Sequence, residues 1–382
     1  MRLYYIANAR MPNEKAHGIQ IAKMCEAFIE AGVDLTLVVP NRRTVSQSLR
    51  DYYGLRVGVP LVRLPALDWY ALGRVGYFLS SLSFMLSYTL FVWRKKLAGE
   101  DFILYTVDTE NYSSSALALV DRPLFSEMHG SKPRTFAQRL LFKHARGIVA
   151  INSIIAEELG KNFPRSRVRY LVEPNGVDLL QFSGIDKKDA RARLGLPSDA
   201  SIVLYAGRFF AWKGLELLPP AAAAAPSIRW QVVGGGREDF ARLVEAPLPG
   251  NLFFAGSRPH SEIPLWLAAA DAFVVLGTAR DRQSYRYTSP MKLFEYLAAG
   301  RPVVASDTPA LREIVSEKEA LFYAPDDARD LARAAARAAA GGDDVMARVA
   351  AGKRRASDCS WRARARRILR FMEETSNAHG HA

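Results

Sequence analysis

The sequence predicts an α/β protein of two Rossmann-like domains that face a central cleft. Strand and helix signals alternate from residue 3 onward, and the alternation restarts at residue 201 after a charged segment. The 382 residues exceed a typical single core and suit two domains of ordinary size. Two such halves in tandem present their strand ends to a shared crevice. We therefore predict domains at 1–178 and 179–360, and a C-terminal helix at 361–382 that crosses back to the first domain.

The first domain opens with a strand–helix–strand unit. An apolar run at 3–7 is followed by apolar residues at helical spacing over 19–30, and Gly32 ends that helix. A second apolar run at 35–39 completes the unit, which is typical of a parallel, doubly wound sheet. Similar short runs predict further strands at 61–64, 102–105, 124–127 and 147–151.

The second domain repeats this organisation after residues 174–178. Residues 185–199 are charged and helix-like, and short apolar runs then predict strands at 201–206, 230–233, 252–255, 272–276 and 302–305. The tail at 328–372 is rich in alanine and arginine and predicts helices. Its arginines are expected to form a solvated basic face, made by Arg362, Arg364, Arg366 and Arg367.

The composition limits the partners and the compartment. A formal net charge of +13 favours anionic partners, without choosing among phosphates, nucleic acid and acidic membrane surfaces. The two cysteines, Cys25 and Cys359, lie far apart and form no C-x-x-C pattern, so no disulfide framework is predicted. The N-terminal residues lack the apolar core of a signal peptide. We therefore expect a cytoplasmic protein with reduced thiols.

One uncharged stretch leaves three interpretations open. Residues 75–93 carry no charge, reach the lower edge of a membrane-spanning length, and are followed directly by Arg94, Lys95 and Lys96. Several serines and a threonine dilute the apolar character of the stretch. It fits a buried or half-buried helix of the first domain, an interfacial helix on anionic lipid, or a true span.

The segment 205–214 is the first candidate phosphate site. A predicted strand ends at Gly207, Arg208 follows, and Lys213 comes five positions after Arg208. The planar fork of Arg208 and the point charge of Lys213 suit a diphosphate and stabilise it as it leaves. A strand-end arginine can also be an ordinary salt-bridge partner.

The segment 289–305 is the second candidate. Ser289 is predicted as the N-cap of a helix and Pro290 as its first residue, so the N–H groups of Met291 and Lys292 would form an anion site. Glu295 lies one turn further, where its carboxylate can accept hydrogen bonds from two ribose hydroxyls. The plainer alternative is a well-capped helix with Glu295 in a salt bridge.

Two weaker signals lie in the first domain. His129 follows the predicted strand 124–127 and is expected at the rim of the cleft. Gly18 lies between the first strand and the first helix, where it would let the backbone approach a phosphate.

No metal site is predicted. The sequence has no HExxH motif, P-loop lysine motif or cysteine–histidine cluster. Asp108 and Glu110 remain an alternative pair of ligands for a metal-dependent enzyme.

Taken in order, these motifs resemble the GT-B glycosyltransferases of family 4, the retaining "glycosyltransferase group 1" enzymes. The resemblance spans nearly the whole chain, and the block at 289–306 is its most specific part; the other segments are 14–20, 174–178, 207–214, 233–236 and 269–272. It implies that the second domain binds a UDP- or GDP-linked sugar donor and the first domain a glycan or lipid-linked acceptor. It assigns Arg208 and Lys213 to the diphosphate, Glu295 to the ribose, and His129 to the neighbourhood of the transferred sugar's hydroxyls.

One position departs from the family. The family often has a Glu-x7-Glu pair, but Tyr287 stands where the first glutamate would be, as in a branch with the form Ser-Pro-x-Lys-Leu-Phe-Glu-Tyr. The identity of the donor sugar is left open by this replacement.

The function expected from the resemblance is metal-independent, retaining sugar transfer in bacterial polysaccharide, lipid-linked or envelope glycan synthesis. No cofactor beyond the donor and no nucleic-acid partner are expected. Contact with the membrane would be peripheral, on the anionic inner face of the cytoplasmic membrane. The alternatives are a nucleotide-sugar 2-epimerase on the same fold, and an inactive scaffold at a membrane surface.

Overall fold

The computed structural model describes residues 1–108 and 110–378, which divide into two compact units. Unit 1 comprises Met1–Pro174 together with Trp361–Ala382, and unit 2 comprises Asn175–Ser360. The first segment of unit 1 thus ends four residues before the boundary predicted at 178 (178 − 174 = 4). The chain returns to unit 1 at Trp361.

Unit 1 contains a seven-stranded parallel sheet. In chain order its strands are β1 Arg2–Ile6, β2 Asp34–Asn41, β3 Leu61–Pro65, β4 Ile103–Asp108, β5 Leu124–Met128, β6 Gly147–Ala150 and β7 Arg169–Val172. Their spatial order is β3-β2-β1-β4-β5-β6-β7, so the winding reverses between β1 and β4. Every residue of β5 and β6 is buried, as expected for parallel strands covered on both faces.

Unit 2 contains a six-stranded parallel sheet. Its strands are β8 Ser201–Ala206, β9 Ile228–Val233, β10 Leu252–Phe254, β11 Ala272–Val275, β12 Val303–Ser306 and β13 Leu321–Tyr323, in the spatial order β10-β9-β8-β11-β12-β13. Successive side chains of β8 point to opposite faces. Val203 and Tyr205 join the apolar cluster on one face, and Ile202 and Leu204 join the cluster on the other.

Helices flank both sheets. Unit 1 has α1 Ala16–Glu30, α2 Leu49–Tyr53, α3 Gly73–Leu97, α4 Phe136–His144 and α5 Ser153–Asn162. Unit 2 has α6 Lys187–Leu194, α7 Leu218–Ala224, α8 Arg237–Val244, α9 Ile263–Ala269, α10 Met291–Ala299, α11 Pro309–Arg312, α12 Ala328–Ala340 and α13 Asp343–Asp358. The C-terminal helix α14 Trp361–Ala378 belongs to unit 1.

The prediction of a solvated basic face on α14 is wrong for Arg364. Arg364 is fully buried, and its guanidinium donates to both carboxylate oxygens of Glu127, at 2.8 and 3.2 Å. Arg367 forms a two-pronged pair with the buried Glu173 at 2.7 and 2.8 Å. Arg364 is buried because it shares one helix face with Trp361 and Ile368, both of which are also buried. Helix α14 therefore places a charged side chain in the interior of unit 1.

Helix α3 covers the uncharged stretch and is buried along one face only. The buried face is formed at four-residue spacing by Gly76, Ser80, Phe84, Tyr88 and Val92. Its serines are used internally: Ser80 Oγ accepts a hydrogen bond from Trp69 N at 2.9 Å. This burial makes α3 a half-buried helix of the first domain, and the interfacial interpretation of its other face stays a prediction.

The opposite face of α3 is apolar and exposed. It carries a line of large side chains at spacings of three and four residues, which we term the α3 ridge: Val75, Phe78, Leu82, Leu86, Leu90, Trp93 and Leu97. Leu86 and Leu90 are 62% and 66% exposed. Within the described residues, the helix at Tyr70–Leu97 is the one stretch long and apolar enough to cross a membrane, and this is weak evidence by itself.

Candidate functional site

Two glycines let the end of β8 come close to its neighbours. Gly207 has φ 153° and Gly234 has φ 132°, conformations that side chains rarely adopt. A Cβ on Gly234 would lie 2.3 Å from the carbonyl oxygen of Gly207, and one on Gly207 would lie 2.7 Å from Lys292 Nζ. The loop after β8 is thereby packed directly against α10.

Arg208 and Lys213 lie in that loop. Lys213 Nζ donates to the carbonyl oxygen of Arg208 at 3.0 Å, and both cations lie over the ring of Phe210, at 4.8 Å for Lys213 Nζ and 5.7 Å for Arg208 Cζ. Burial, and then the charge of Arg208, lower the pKa of Lys213 to about 8. The positive charge of Arg208 thus disfavours the charged form of Lys213, and an anionic ligand between two such cations would be bound favourably.

Helix α10 is tied to the end of β8. The N–H group of Ala206 donates to Tyr296 Oη at 2.7 Å, which fixes the helix to the strand. No acidic residue occupies the first turn of α10, so its positive end is not neutralised from within the helix. The N–H groups of Met291 and Lys292 are therefore placed as an anion site requires.

The prediction that Ser289 caps this helix is wrong. Pro290 holds the N-cap position with extended backbone angles, and the helix begins at Met291. Ser289 is instead held by Asn175: its Oγ accepts from Asn175 N at 3.2 Å, and its carbonyl accepts from Asn175 Nδ2 at 2.8 Å. This double contact keeps Ser289 outside the first turn and fixes the backbone that leads into it.

Glu295 has a partner that sequence reasoning did not find. Its Oε1 lies 3.1 Å from His260 Nε2, and His260 lies in a 3₁₀ turn between β10 and α9. The ring of His260 meets the edge of Phe182 at a centroid distance of 6.5 Å. The carboxylate of Glu295 is thus held in place by an imidazole, a partner that ligand hydroxyls can replace or share.

Tyr287, at the position of the family's first glutamate, is buried. It ends a π-helical segment, Gln283–Tyr287, and the guanidinium of Arg282 lies 5.3 Å from its ring centre. A single π-helical turn is often found at functional sites. This position contributes no carboxylate to the site.

In unit 1, His129 is held by a buried carboxylate. Its Nε2 lies 2.8 Å from Glu127 Oε1. Glu127 is fully buried and also accepts from Tyr105 Oη at 2.5 Å and Gln20 Nε2 at 2.8 Å, beside its pair with Arg364. Burial alone would raise the pKa of Glu127, but the charge of Arg364 and the hydrogen bond from His129 outweigh it and lower the pKa to about 2. The carboxylate is therefore ionised and fixes the ring of His129.

Gly18 lies inside the first turn of α1 rather than in the loop before it. A Cβ there would fall 2.5 Å from Tyr53 Oη and 2.7 Å from Asn13 Oδ1. This internal packing explains the glycine without a ligand, and the phosphate role of Gly18 stays a prediction. The neighbouring His17 is a residue that sequence reasoning missed: burial, then the charges of Lys15 and His129, lower its pKa to about 4.

The alternative metal pair is only partly described. Thr109 and the side chain of Asp108 lie outside the described residues. Glu110 is buried, and its Oε1 accepts from Asn8 Nδ2 at 2.6 Å and from Ser81 Oγ at 3.1 Å. Within the described part of the chain, no three histidine, cysteine, aspartate or glutamate residues cluster in a way that could hold a metal ion.

Comparison with known proteins extends this description. Residues 200–340 match the family model described as "Glycosyl transferases group 1". A D-inositol 3-phosphate glycosyltransferase of Nocardioides sp. is 29% identical over 284 residues, which cover 68% of this chain and 60% of that protein. A phosphatidyl-myo-inositol mannosyltransferase of Mycolicibacterium smegmatis is 28% identical over 300 residues, covering 75% and 74%. The match thus spans less than two thirds of the first relative's length.

Solved structures show the same fold. Sucrose-phosphate synthase from Thermosynechococcus elongatus aligns with a TM-score of 0.74 at 20% identity, over 99% of both chains. HepE from Anabaena, solved with UDP and glucose, aligns with a TM-score of 0.71 at 16% identity, over 98% of this chain and 100% of that one. The two parallel-sheet α/β domains are those of the GT-B fold, and the comparisons support a glycosyltransferase of group 1.

Proposed function

We propose that the chain is a retaining glycosyltransferase of family 4, in the branch with Ser-Pro-x-Lys-Leu-Phe-Glu-Tyr. It transfers a sugar from a UDP- or GDP-linked donor to an acceptor hydroxyl. The observation that carries this proposal is the cationic loop after β8, with Arg208 and Lys213, packed against the uncompensated positive end of α10. This is the arrangement that a leaving diphosphate requires.

Each group has a defined role in the proposed reaction. Arg208 and Lys213 bind the diphosphate together with the N–H groups of Met291 and Lys292, and they stabilise the charge that develops as the glycosidic bond breaks. Glu295 accepts hydrogen bonds from the ribose hydroxyls. The acceptor hydroxyl attacks from the face that the diphosphate leaves, so the anomeric configuration is retained.

His129 is proposed to contact a hydroxyl of the transferred sugar. Support comes from its fixed orientation, since Glu127 lies 2.8 Å from Nε2 and is itself immobilised by Arg364. An imidazole anchored through one nitrogen presents the other in a defined direction.

The acceptor is proposed to be a glycan or a lipid-linked hydroxyl compound, in bacterial polysaccharide or envelope synthesis. One relative is named for a phosphatidylinositol acceptor, which supports a lipid-linked substrate.

Two assays test the proposed function. Binding of UDP or GDP to the native state should raise the melting temperature of the chain. Radiolabelled UDP- and GDP-sugars, incubated with lipid-linked and glycan acceptors, should then yield labelled product. Isomerised donor without transfer would indicate the 2-epimerase, and binding without either reaction would indicate an inactive scaffold.

Sugar transfer is expected to survive EDTA. Arg208, Lys213 and the end of α10 supply the positive charge that a divalent ion provides in metal-dependent enzymes. The initial rate of transfer should be unchanged when the enzyme is assayed in excess EDTA. Loss of activity that manganese or magnesium restores would contradict this and favour Asp108 and Glu110 as ligands.

The α3 ridge is proposed to rest on an anionic membrane surface. A row of exposed apolar side chains at helical spacing suits insertion at the level of the lipid headgroups. Arg94, Lys95 and Lys96 lie in the last turn of α3. Lys95 already pairs with Glu100 at 2.7 Å and Lys96 with Asp121 at 3.0 Å, so the apolar ridge should contribute more than the charges.

The chain should therefore sediment with vesicles that contain anionic lipid. Binding should weaken as salt rises, because each exposed lysine or arginine contributes on the order of 1 kcal/mol at an anionic surface and salt screens it. Replacing Leu86 and Leu90 by serine should lower the bound fraction several-fold. The matched control replaces Leu119 and Leu180, which are 57% and 73% exposed and lie outside the ridge. Equal sedimentation of both variants would rule out the ridge as the contact, and equal binding with and without anionic lipid would rule out the contribution of the charges.

A further inference from the structure

Lys292 has a side-chain amine that forms no ion pair in the described part of the chain. It is the second residue of α10, and its side chain turns back to the end of β8, where Nζ lies 3.8 Å from the ring centre of Tyr205. An added Cβ on Gly207 would be 2.7 Å from Nζ, so Nζ lies against the glycine that begins the loop after β8. In the described part of the chain, Lys292 contacts this ring but makes no hydrogen bond or ion pair.

This position is unfavourable for a cation on three counts. The dipole of α10 opposes positive charge in its first turn. The side chain is partly buried and forms no ion pair in the described part of the chain, which costs free energy. Burial, and then the charge of Lys213, hold the pKa of Lys292 well below its ordinary value, against the opposing charge of Glu295. An anion at the end of β8 relieves all three.

Stacking on Tyr205 does not by itself explain the residue. A cation over a ring is attracted to it. However, an apolar side chain of similar length would fill the same space over Tyr205 without bringing a charge near Lys213. The ammonium is therefore better explained by a ligand that arrives from outside.

We propose that the Lys292 ammonium is a third cationic group for the donor diphosphate, beside Arg208 and Lys213, and that Lys292 takes up a proton as the diphosphate binds. The inference rests on the proposed function and extends it. The proposed function uses only the N–H group of Lys292, whereas here its side chain also contacts the ligand. The proton comes from the solvent and converts the amine to an ammonium.

The direction of the pH dependence follows from the groups that face Lys292. These are Tyr205 from β8, Lys213 from the loop, and Glu295 on α10, with His260 behind Glu295. In the free protein, burial and the charge of Lys213 lower the pKa of Lys292, and a bound diphosphate favours the ammonium. Binding therefore takes up protons, and affinity for the diphosphate decreases as the pH rises. Lys213 contributes with the same sign.

Calorimetric titration of the full chain with UDP and GDP at pH 8, in two buffers of different ionisation enthalpy, measures both affinity and proton uptake. Lys292→Met should bind the nucleotides about tenfold to a hundredfold more weakly and take up fewer protons. Lys292→Arg, which is always charged, should retain affinity but lose the same share of proton uptake. Uridine and guanosine, which carry no phosphate, should bind wild type and Lys292→Met equally.

The control variant is Lys318→Met, which removes the same charge from an exposed site in unit 2 and should match wild type. Wild-type affinity and proton uptake in Lys292→Met would overturn the inference. Undiminished proton uptake in Lys292→Arg would also overturn it, and this second measurement decides the matter if Lys292→Met misfolds. If the inference is overturned but Arg208→Ala still weakens nucleotide binding, the proposed function stands. A wild-type chain that binds neither nucleotide would remove the proposed function itself.

Discussion

Replacing Arg208 or Lys213 by alanine is expected to lower the rate of sugar transfer by a factor of about 10² or more, without affecting folding. Each side chain stabilises negative charge that appears only as the diphosphate leaves, so its loss acts mainly on the transition state. Both lie in the loop after β8, and their exposed or half-buried positions leave the apolar clusters of unit 2 intact. Steady-state kinetics with labelled donor, together with thermal unfolding, separate the two effects.

The matched control for this experiment is Arg242→Ala. Arg242 is 76% exposed and pairs with Asp239 on the surface of α8, so its removal takes one exposed positive charge from unit 2. Its transfer rate should equal that of the wild type. Wild-type turnover in both Arg208→Ala and Lys213→Ala would show that the diphosphate is bound elsewhere.

Replacing Arg364 by methionine is expected to destabilise the protein by about 3–5 kcal/mol, because it leaves the Glu127 carboxylate buried without its charged partner. The melting temperature should fall by on the order of 10 °C. The double variant Arg364→Met with Glu127→Gln should recover much of this loss, since no unpaired charge then remains. Arg366→Met is the control, because Arg366 is an exposed arginine on the same helix.

The pH dependence of unfolding provides a second readout for Arg364. In the wild type, the pKa of Glu127 is about 2, below its ordinary value of 4.5. Its contribution to stability is therefore present above pH 4.5 and lost as the pH falls toward 2. In Arg364→Met the buried carboxylate favours protonation, so the difference in stability from wild type should narrow on acidification. If the free energy of unfolding of Arg364→Met differs from that of the wild type by the same amount from pH 7 to pH 4, Glu127 does not cause the difference.

The strand whose bounds the sequence predicted in full is a buried one. The run at 201–206 predicted β8 with its observed bounds, because a strand covered on both faces is continuously apolar. Two strands were missed, and both lie at the edge of their sheet. Strand β7 Arg169–Val172 is a partly exposed edge strand in which Arg169 interrupts the apolar run, and β13 Leu321–Tyr323 is an edge strand of only three residues.

The site could be predicted only where its residues are close in sequence. The loop with Arg208 and Lys213 is contiguous, and its spacing after a strand was informative. The partners His260 and Glu295 are 35 residues apart, and Glu127 and Arg364 are 237 apart, so no local pattern joins them. One signal for Arg364 was nevertheless present: it lies three residues after Trp361 and four before Ile368, on the apolar face of its helix.

The discontinuous construction of unit 1 also sets an order of folding during synthesis. Unit 2 is a continuous segment and can fold once residue 360 has left the ribosome, whereas unit 1 needs helix α14 to complete its packing. Synthesis adds roughly 5–20 residues per second, so Arg364 is made about 10 to 50 seconds after Glu127, which lies 237 residues earlier. During that interval the surface that α14 will cover is open to water and to other chains. A nascent chain halted at residue 360 should therefore recruit chaperones through unit 1 and expose it to proteases, with unit 2 already protected.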